Sequence, residues 1–415
     1  MLKSTRAALF AGALLGWSQL ASAETVTLDQ AVARAAEAAP IIRADEAAVA
    51  AARAGRQQAG VRPNPSVTVE AENFIGSGRY DIFRQAEITA TYSQPIERGG
   101  KRDARVNLAE RDVGVAQASA RVTRLELAAL VQRAFLDVLI ADEVVKIVDY
   151  RLSVERGMER EALRRVRGYK DPLFVETRAA ARVAQAKIGV DQAQARQRTA
   201  RAALAGFWGG NGEALEVSGE LMRGGAVPSL SAADLQLAEA RVARASAAVA
   251  VEQSRRVQDY TVSGGTRFFR DTNDVALVAG VTIPLGRFDR NQGNIERAQA
   301  ERLRLELTAE ANRLERLRRL ASLRADADAA RDRAQATERE VYPRASKALA
   351  QVREGYNRGG FSFRDMQDAA DAILVSQDRW LDAITQYRDL QTEIDRLTGR
   401  FDDALAEAQT GETRP

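Results

Sequence analysis

Two periodicities alternate along the chain. Apolar residues at every second position mark four short runs: Val67, Val69, Ala71; Ile88, Ala90, Tyr92; Tyr260, Val262; and Val275, Leu277, Ala279, Val281, Ile283. This spacing predicts strands with one apolar face. Elsewhere apolar residues recur at alternating intervals of four and three, as in Leu127, Val131, Ala134, Val138, Ala141, Val145, Val148 and Leu152. A mean period of 3.5 is that of supercoiled helices. The 67 residues from Arg102 to Gly168 contain no proline, so one helix of roughly 100 Å is predicted there. A second long helix is predicted over 291–355, with Pro343 bending it.

The pattern occurs twice. Gln94-Pro95-Ile96-Glu97-Arg98-Gly99-Gly100-Lys101-Arg102 closes one strand pair and opens the first long helix, and Ile283-Pro284-Leu285-Gly286-Arg287 does the same later; the two prolines lie 189 positions apart. Turns are expected near Gly76-Ser77-Gly78 and from Gly264-Gly265 to Asn273. Each long helix ends at a glycine-containing loop, Gly168-Tyr169-Lys170-Asp171-Pro172 and Gly355 to Ser362. Asp171 and Ser362 are expected to cap the returning helices, with Pro172 at a first helical position. The returning stripes are Ala179, Val183, Ala186, Val190, Ala193, Gln197, Ala200, Leu204 and Met366, Ala370, Ile373, Gln377, Trp380, Ile384, Tyr387, Gln391, Ile394. The expected units are 24–206, an irregular connection over 207–229, 230–400, and a tail over 401–415. The fold class is therefore mainly α with a small β part and an internal two-fold repeat. Four strands cannot close a barrel, and an open sheet in a membrane leaves backbone groups unpaired. Closure demands several copies, with the helices continuing the barrel as a tube.

Composition removes alternatives. With no His and no Cys, the chain has no imidazole base, thiolate nucleophile, disulfide, iron–sulfur cluster or soft-metal site. No cofactor and no catalytic residue are expected. Lys3 and Arg6, the apolar run from Ala7 to Trp17, and Ala21-Ser22-Ala23 predict a secretory signal cut between Ala23 and Glu24. Its removal leaves a nearly neutral chain, which excludes nucleic acid as a partner by charge. A periplasmic scaffold would share the helices but would not need lipid-facing strand alternation. A carboxylate hydrolase is disfavoured because the acids lie along helices without convergence.

These residues resemble the TolC-type outer membrane efflux proteins over nearly the whole mature length. The resemblance rests on the repeat, the proline-ended strands, Leu204-Ala205-Gly206-Phe207-Trp208-Gly209 and Leu397-Thr398-Gly399. Pro63-Asn64-Pro65 and the Gln94–Arg102 segment resemble the heavy-metal, cobalt–zinc–cadmium branch, with a multidrug channel of the same family as the alternative. The resemblance implies a homotrimer with a 12-stranded outer membrane barrel and a periplasmic helical barrel. It also implies a periplasmic adaptor, an RND-type inner membrane pump and passive conduction.

The family's tip motif matches Tyr356, Gly359, Asp365, Asp368 and Ala369. It implies that Asp365, Asp368 and Tyr356 lie at the periplasmic channel entrance, where six carboxylates would form a cation-selective ring. The plainer reading makes Asp365 a helix cap. Phe361 stands where the family has a gating arginine, leaving Arg358 or Arg364 as substitutes. Gly168, Tyr169, Lys170, Asp171, Gly355, Asn357, Arg358, Gly359 and Gly360 are the expected adaptor-contacting tips. Gly99-Gly100-Lys101 is no phosphate loop, since Pro95 stands where such a motif needs glycine. The arginine-rich stretch 302–324 reads as a solvated coil face. Phe74, Tyr80, Phe83, Tyr92, Tyr260, Phe268 and Phe269 suit an interfacial girdle.

Overall fold

The computed structural model describes residues 24–222 and 229–402. The expected signal with its cut at Ala23, most of the expected tail and part of the 207–229 connection lie outside the described residues. The chain opens with strand β1 (Glu24–Val26) and helices α1 (Leu28–Ala38) and α2 (Pro40–Ala59). Thr27 and Gln30 form a reciprocal capping box at the start of α1. Strands β2 (Ser66–Glu72) and β3 (Glu87–Ile96) follow, then helix α3 (Lys101–Arg167) and its return α4 (Leu173–Ala205). The second copy runs from β4 (Leu215–Val217) through α5 (Ala232–Ser254), β5 (Tyr260–Phe269), β6 (Asp274–Thr282) and α6 (Gln292–Ala336) to α7 (Tyr342–Arg358) and α8 (Phe363–Thr398).

One antiparallel sheet has the order β2-β3-β5-β6, and β1 pairs parallel with β4. The register sorts the sheet's two faces. Val67 faces Tyr92, Tyr92 faces Gly264 and Gly264 faces Ala279, so one face collects Val67, Val69, Ile88, Ala90, Tyr92, Val262, Val275, Leu277 and Val281. Val69, Val275 and Leu277 are 67%, 67% and 86% exposed, which suits a lipid-facing surface. The opposite face carries Glu70, Glu72, Glu87, Thr89 and Thr91, with Arg267 paired to Glu87 at 3.2 Å and donating to the Thr89 hydroxyl at 2.9 Å.

The turn expected from Gly264 onward begins later. Strand β5 continues to Phe269, with Gly264 and Gly265 in mid-strand opposite Tyr92 and Thr91. A Cβ on Gly265 would stand 2.1 Å from the Ala90 carbonyl oxygen. Gly265 serves close strand approach, and neither glycine makes a turn. Gly99 works at the strand-to-helix junction. Its φ is +67°, and a Cβ there would meet Val257 at 2.6 Å.

The helical stripes bury as the 3.5 period requires. Val131, Val138 and Leu152 on α3, Ala179 and Val183 on α4, and Met366, Ala370, Ile373 and Ile384 on α8 are all buried. A core at the level of β1 and β4 joins Val32, Leu125, Val131, Phe135, Leu204 and Phe401. A second core lies near the hairpin ends, around Met158, Ala162, Val175, Tyr356, Phe363 and Met366. Pro343 has no N–H and crowds the preceding turn. The helix answers with a wider π turn over Thr337–Val341 and restarts at Tyr342. On α6, Arg304, Arg313 and Arg318 pair with Glu301, Glu310 and Glu315 three residues earlier. Among the described residues no helix is long and apolar enough to cross a membrane.

Candidate functional site

The two hairpin ends meet, and their contacts define the site. Helix α3 ends at Arg167, and Tyr169 takes the left-handed conformation at φ 57° while Gly168 stays at φ −84°. Tyr169 is 98% exposed, and Gly168 and Lys170 are exposed beside it. Pro172, not Asp171, is the N-cap of α4, and it makes no side-chain cap. The Asp171 carboxylate is engaged elsewhere. Arg165 donates to it through Nε and Nη2, each at 3.0 Å. The Tyr356 hydroxyl donates to the same carboxylate.

Tyr356 belongs to the other hairpin. The loop expected from Gly355 starts later, because α7 continues to Arg358 and closes on Gly359 at φ 86°. Gly355, Tyr356, Asn357 and Arg358 therefore form its last turn. Tyr356 is fully buried. Its ring lies 4.5 Å from the Arg165 guanidinium carbon and 6.1 Å from the Phe363 ring, within cation–π reach. Arg165 Nη1 also donates to the Tyr356 carbonyl oxygen at 2.5 Å. One guanidinium thus joins the last turn of α3, the first loop and the end of α7. Arg165 holds the Asp171 carboxyl below its ordinary range, outweighing burial, and Tyr356 adds to the effect. Burial first, then the hydrogen bond to Asp171 and that carboxylate's charge, push the Tyr356 hydroxyl well above its usual range, so it stays a donor.

Further bonds run up the seam. Arg164 reaches Glu161 on its own helix and Asn357 opposite. Arg353 bonds Glu161 at 3.0 Å. Arg182 of α4 grips Glu155 of α3 through Nε and Nη2 and reaches Asp371 of α8 at 2.5 Å. Hydrogen bonding to Glu155 raises the Arg182 pKa, so this cation is fixed. Arg151 of α3 bonds the Leu374 carbonyl at 3.2 Å and pairs with Asp378. Arg151, Arg165 and Arg182 were not legible in the sequence as site residues. Each lies in a helix rich in similar arginines, and only the partner hairpin distinguishes it.

The expected entrance residues lie at the start of α8. Ser362 and Asp365 form a full capping box: the carboxylate accepts from the Ser362 N–H and hydroxyl, each at 2.7 Å, and Ser362 Oγ accepts from the Asp365 N–H at 3.2 Å. The Ser362 hydroxyl and N–H hold the Asp365 carboxyl below its ordinary range. Asp368, one turn on, is exposed, as is Asp365. Arg358 pairs with Glu354, and Arg364 forms no ion pair among the described residues. Phe361 lies against Gly355, where a Cβ would fall 2.2 Å from its ring. Among the described residues no group of three or more acids is placed to hold a metal ion.

The model for outer membrane efflux proteins matches residues 31–210 and 230–400, which takes in both hairpins and all four strands of the larger sheet. The chain belongs to the outer membrane efflux protein family. The cobalt-zinc-cadmium resistance protein CzcC of Cupriavidus metallidurans is 34% identical over 360 residues, 83% of each chain. The nickel and cobalt resistance protein CnrC of the same organism is 30% identical over 292 residues, 66% of this chain and 68% of that one. Among solved structures, the outer membrane protein VceC of Vibrio cholerae superposes with a TM-score of 0.73 at 19% identity, covering 90% of this chain and 96% of that one. The apolar sheet face is thus the outer membrane face, and the hairpins extend into the periplasm. The chain is an outer membrane efflux channel subunit.

Proposed function

We propose that three copies close into one passive channel that carries heavy-metal cations out of the cell, with no catalytic step. The observation that carries the cargo is the similarity to a cobalt-zinc-cadmium resistance protein over 83% of both chains. Closure is supported by the sheet's outer edges. Strands β2 and β6 lack an outer neighbour among the described residues, and alternating directions let β6 of one copy pair antiparallel with β2 of the next. Unpaired edges in hydrocarbon would be costly.

The hairpin ends are the docking points for a periplasmic adaptor that links the channel to an RND-type pump. The exposed Gly168, Tyr169 and Lys170, with Asn357, Arg358, Gly359 and Gly360, form this surface, while Asp171 and Gly355 shape it from within. Asp365 and Asp368 line the entrance in three copies, and Tyr356 fastens it from behind. A chain without His or Cys leaves metal selection to the pump and offers only diffuse carboxylate charge. Deleting the gene and restoring it on a plasmid tests the cargo. Resistance to cobalt, zinc or cadmium should fall and return. Sensitivity to organic drugs alone would refute the metal reading and support the multidrug one.

A further inference from the structure

The stretch of α8 from Arg388 to Thr398 is polar and buried at once. Arg388, Gln391, Thr392, Asp395 and Thr398 are all below 8% exposed, with Arg388 at 4% and Asp395 at 1%. Asp395 is saturated. Its Oδ1 accepts from Gln391 at 2.8 Å, and its Oδ2 accepts from Gln132 of α3 at 2.7 Å and from Arg400 at 2.9 Å. Arg400 therefore matches its charge. Arg388 has no such match: its Nε and Nη2 meet no acceptor. Glu220, a further acid within electrostatic range, is exposed and makes no hydrogen bond to it.

Nε and Nη2 form the side-on edge of a guanidinium. Arg165 uses this edge to hold Asp171, and Arg182 uses it to hold Glu155. It is the fork that takes an anion with two parallel bonds. In Arg388 the same edge is buried and meets no acceptor. Arg388 and Arg400 against Asp395 leave one positive charge uncompensated in the cluster. Arginine does not shed its proton, and an ion buried without a partner is costly. A water molecule would satisfy the donors but leave the charge.

We propose that Arg388 binds a small monovalent anion, chloride, between α8 and the segment 218–222. The flanking packing limits its size. Leu221 and Met222 lie on Ala383 and Ile384, and Gly219 lies against Phe135 and Leu139 of α3. The site is separate from the tips, about 35 Å up α8 from Asp365.

The test uses the full-length protein in detergent. Its unfolding temperature is measured at constant ionic strength while chloride replaces gluconate. With a dissociation constant of about 10 mM, 0.3 M chloride would shift the folding equilibrium about thirtyfold, so the transition should move upward. Arg388→Met should abolish that response. Equal transitions in chloride and gluconate for the unchanged protein would overturn the proposal. Crystals of the unchanged protein grown in bromide give an arm that needs no variant. An anomalous peak at hydrogen-bonding distance from Nε and Nη2 supports the site. A water or the Glu220 carboxylate in that place overturns it.

Discussion

Tyr356→Phe removes a single oxygen from the junction of the two hairpins. Phenylalanine fills the same buried space, keeps the ring under Arg165 and keeps the 6.1 Å contact with Phe363. What is lost is the hydroxyl bond to the Asp171 carboxylate, in a setting where Arg165 and Asp171 are 11% and 13% exposed. A hydrogen bond to a charged partner is worth about 1.5–3 kcal/mol. Asp171 lies in the first loop and Tyr356 at the end of α7, so any widening that draws the second hairpin from the first must break this bond. The closed state then loses about 1.5–3 kcal/mol in each subunit, a factor of about ten to a hundred and fifty.

Single-channel recording in planar bilayers reads this directly. The variant should spend at least tenfold more time at high conductance, while melting of the purified protein changes little. Unchanged dwell times with a lowered melting temperature would refute the reasoning and leave the bond as fold support alone. The Asp171 carboxyl lies below its ordinary 3.8 while Arg165 and Tyr356 hold it between the hairpins. Its contribution is therefore complete above that value and is lost only as pH falls through the lower one. Tip closure through this contact should stay constant from about pH 5 to pH 8 and loosen only in strong acid.

Replacing Asp365 and Asp368 together with Asn should lower cation preference in bilayers if they ring the entrance; a capping role alone predicts unchanged selectivity with a less stable tip. Gly355→Ala places a methyl inside the Phe361 ring contact and should cost about 1–3 kcal/mol in melting experiments. Adding Phe361→Ala to it should leave no further loss beyond that of Phe361→Ala alone. Arg182→Gln strips buried Glu155 of its paired donors and should destabilise the protein by at least about 2 kcal/mol, with Glu155→Gln in the same chain restoring part of the loss in denaturant unfolding.

The fold was legible because its two periods are long and regular. Leu127 to Leu152 and Met366 to Ile394 each sample one helix face many times, so single exceptions do not hide the stripe. What one stripe cannot reveal is a helix with two contact faces. Helix α3 also buries Leu125, Ala128, Gln132 and Phe135, because it packs against α4 and α8 and no single period describes both. Glycine misled twice. Gly264-Gly265 reads as a turn, yet it lies in mid-strand with Gly265 at a close strand contact, and Gly355 reads as a loop start and makes room for Phe361. For Gly265 the neighbour that needs the space, Ala90, comes from far away in the chain, and for Gly355 it is Phe361 folded back from the following loop. The tip failed for a related reason. Its charge partners lie 185 residues apart in the case of Tyr356 and Asp171, and no local rule pairs them.

Each hairpin end carries the dipeptide Gly-Tyr, Gly168-Tyr169 in the first copy and Gly355-Tyr356 in the second. The two tyrosines have opposite fates, one 98% exposed and the other fully buried. Backbone explains it. In the first copy the helix stops at Arg167, and Tyr169 is thrown outward in a left-handed turn. In the second the helix runs on through Tyr356 to Arg358, which turns the same side chain inward onto Arg165. The charged pair Arg165–Asp171 lies entirely in the first copy, and the buried hydroxyl comes from the second. A repeat whose ends stayed identical would have two outward tyrosines and no tyrosine–carboxylate bond between the hairpins. Divergence at the last helical turn therefore adds a buried tyrosine–carboxylate bond to the links that Arg151, Arg182 and Arg353 make along the seam. Moving the helix end is a direct check. Gly359→Ala penalises the left-handed cap that ends α7, by about 1 kcal/mol or more for a residue with Cβ at positive φ, and should weaken the Tyr356–Asp171 contact as Tyr356→Phe does. Wild-type dwell times in Gly359→Ala would show that the cap does not set the position of Tyr356.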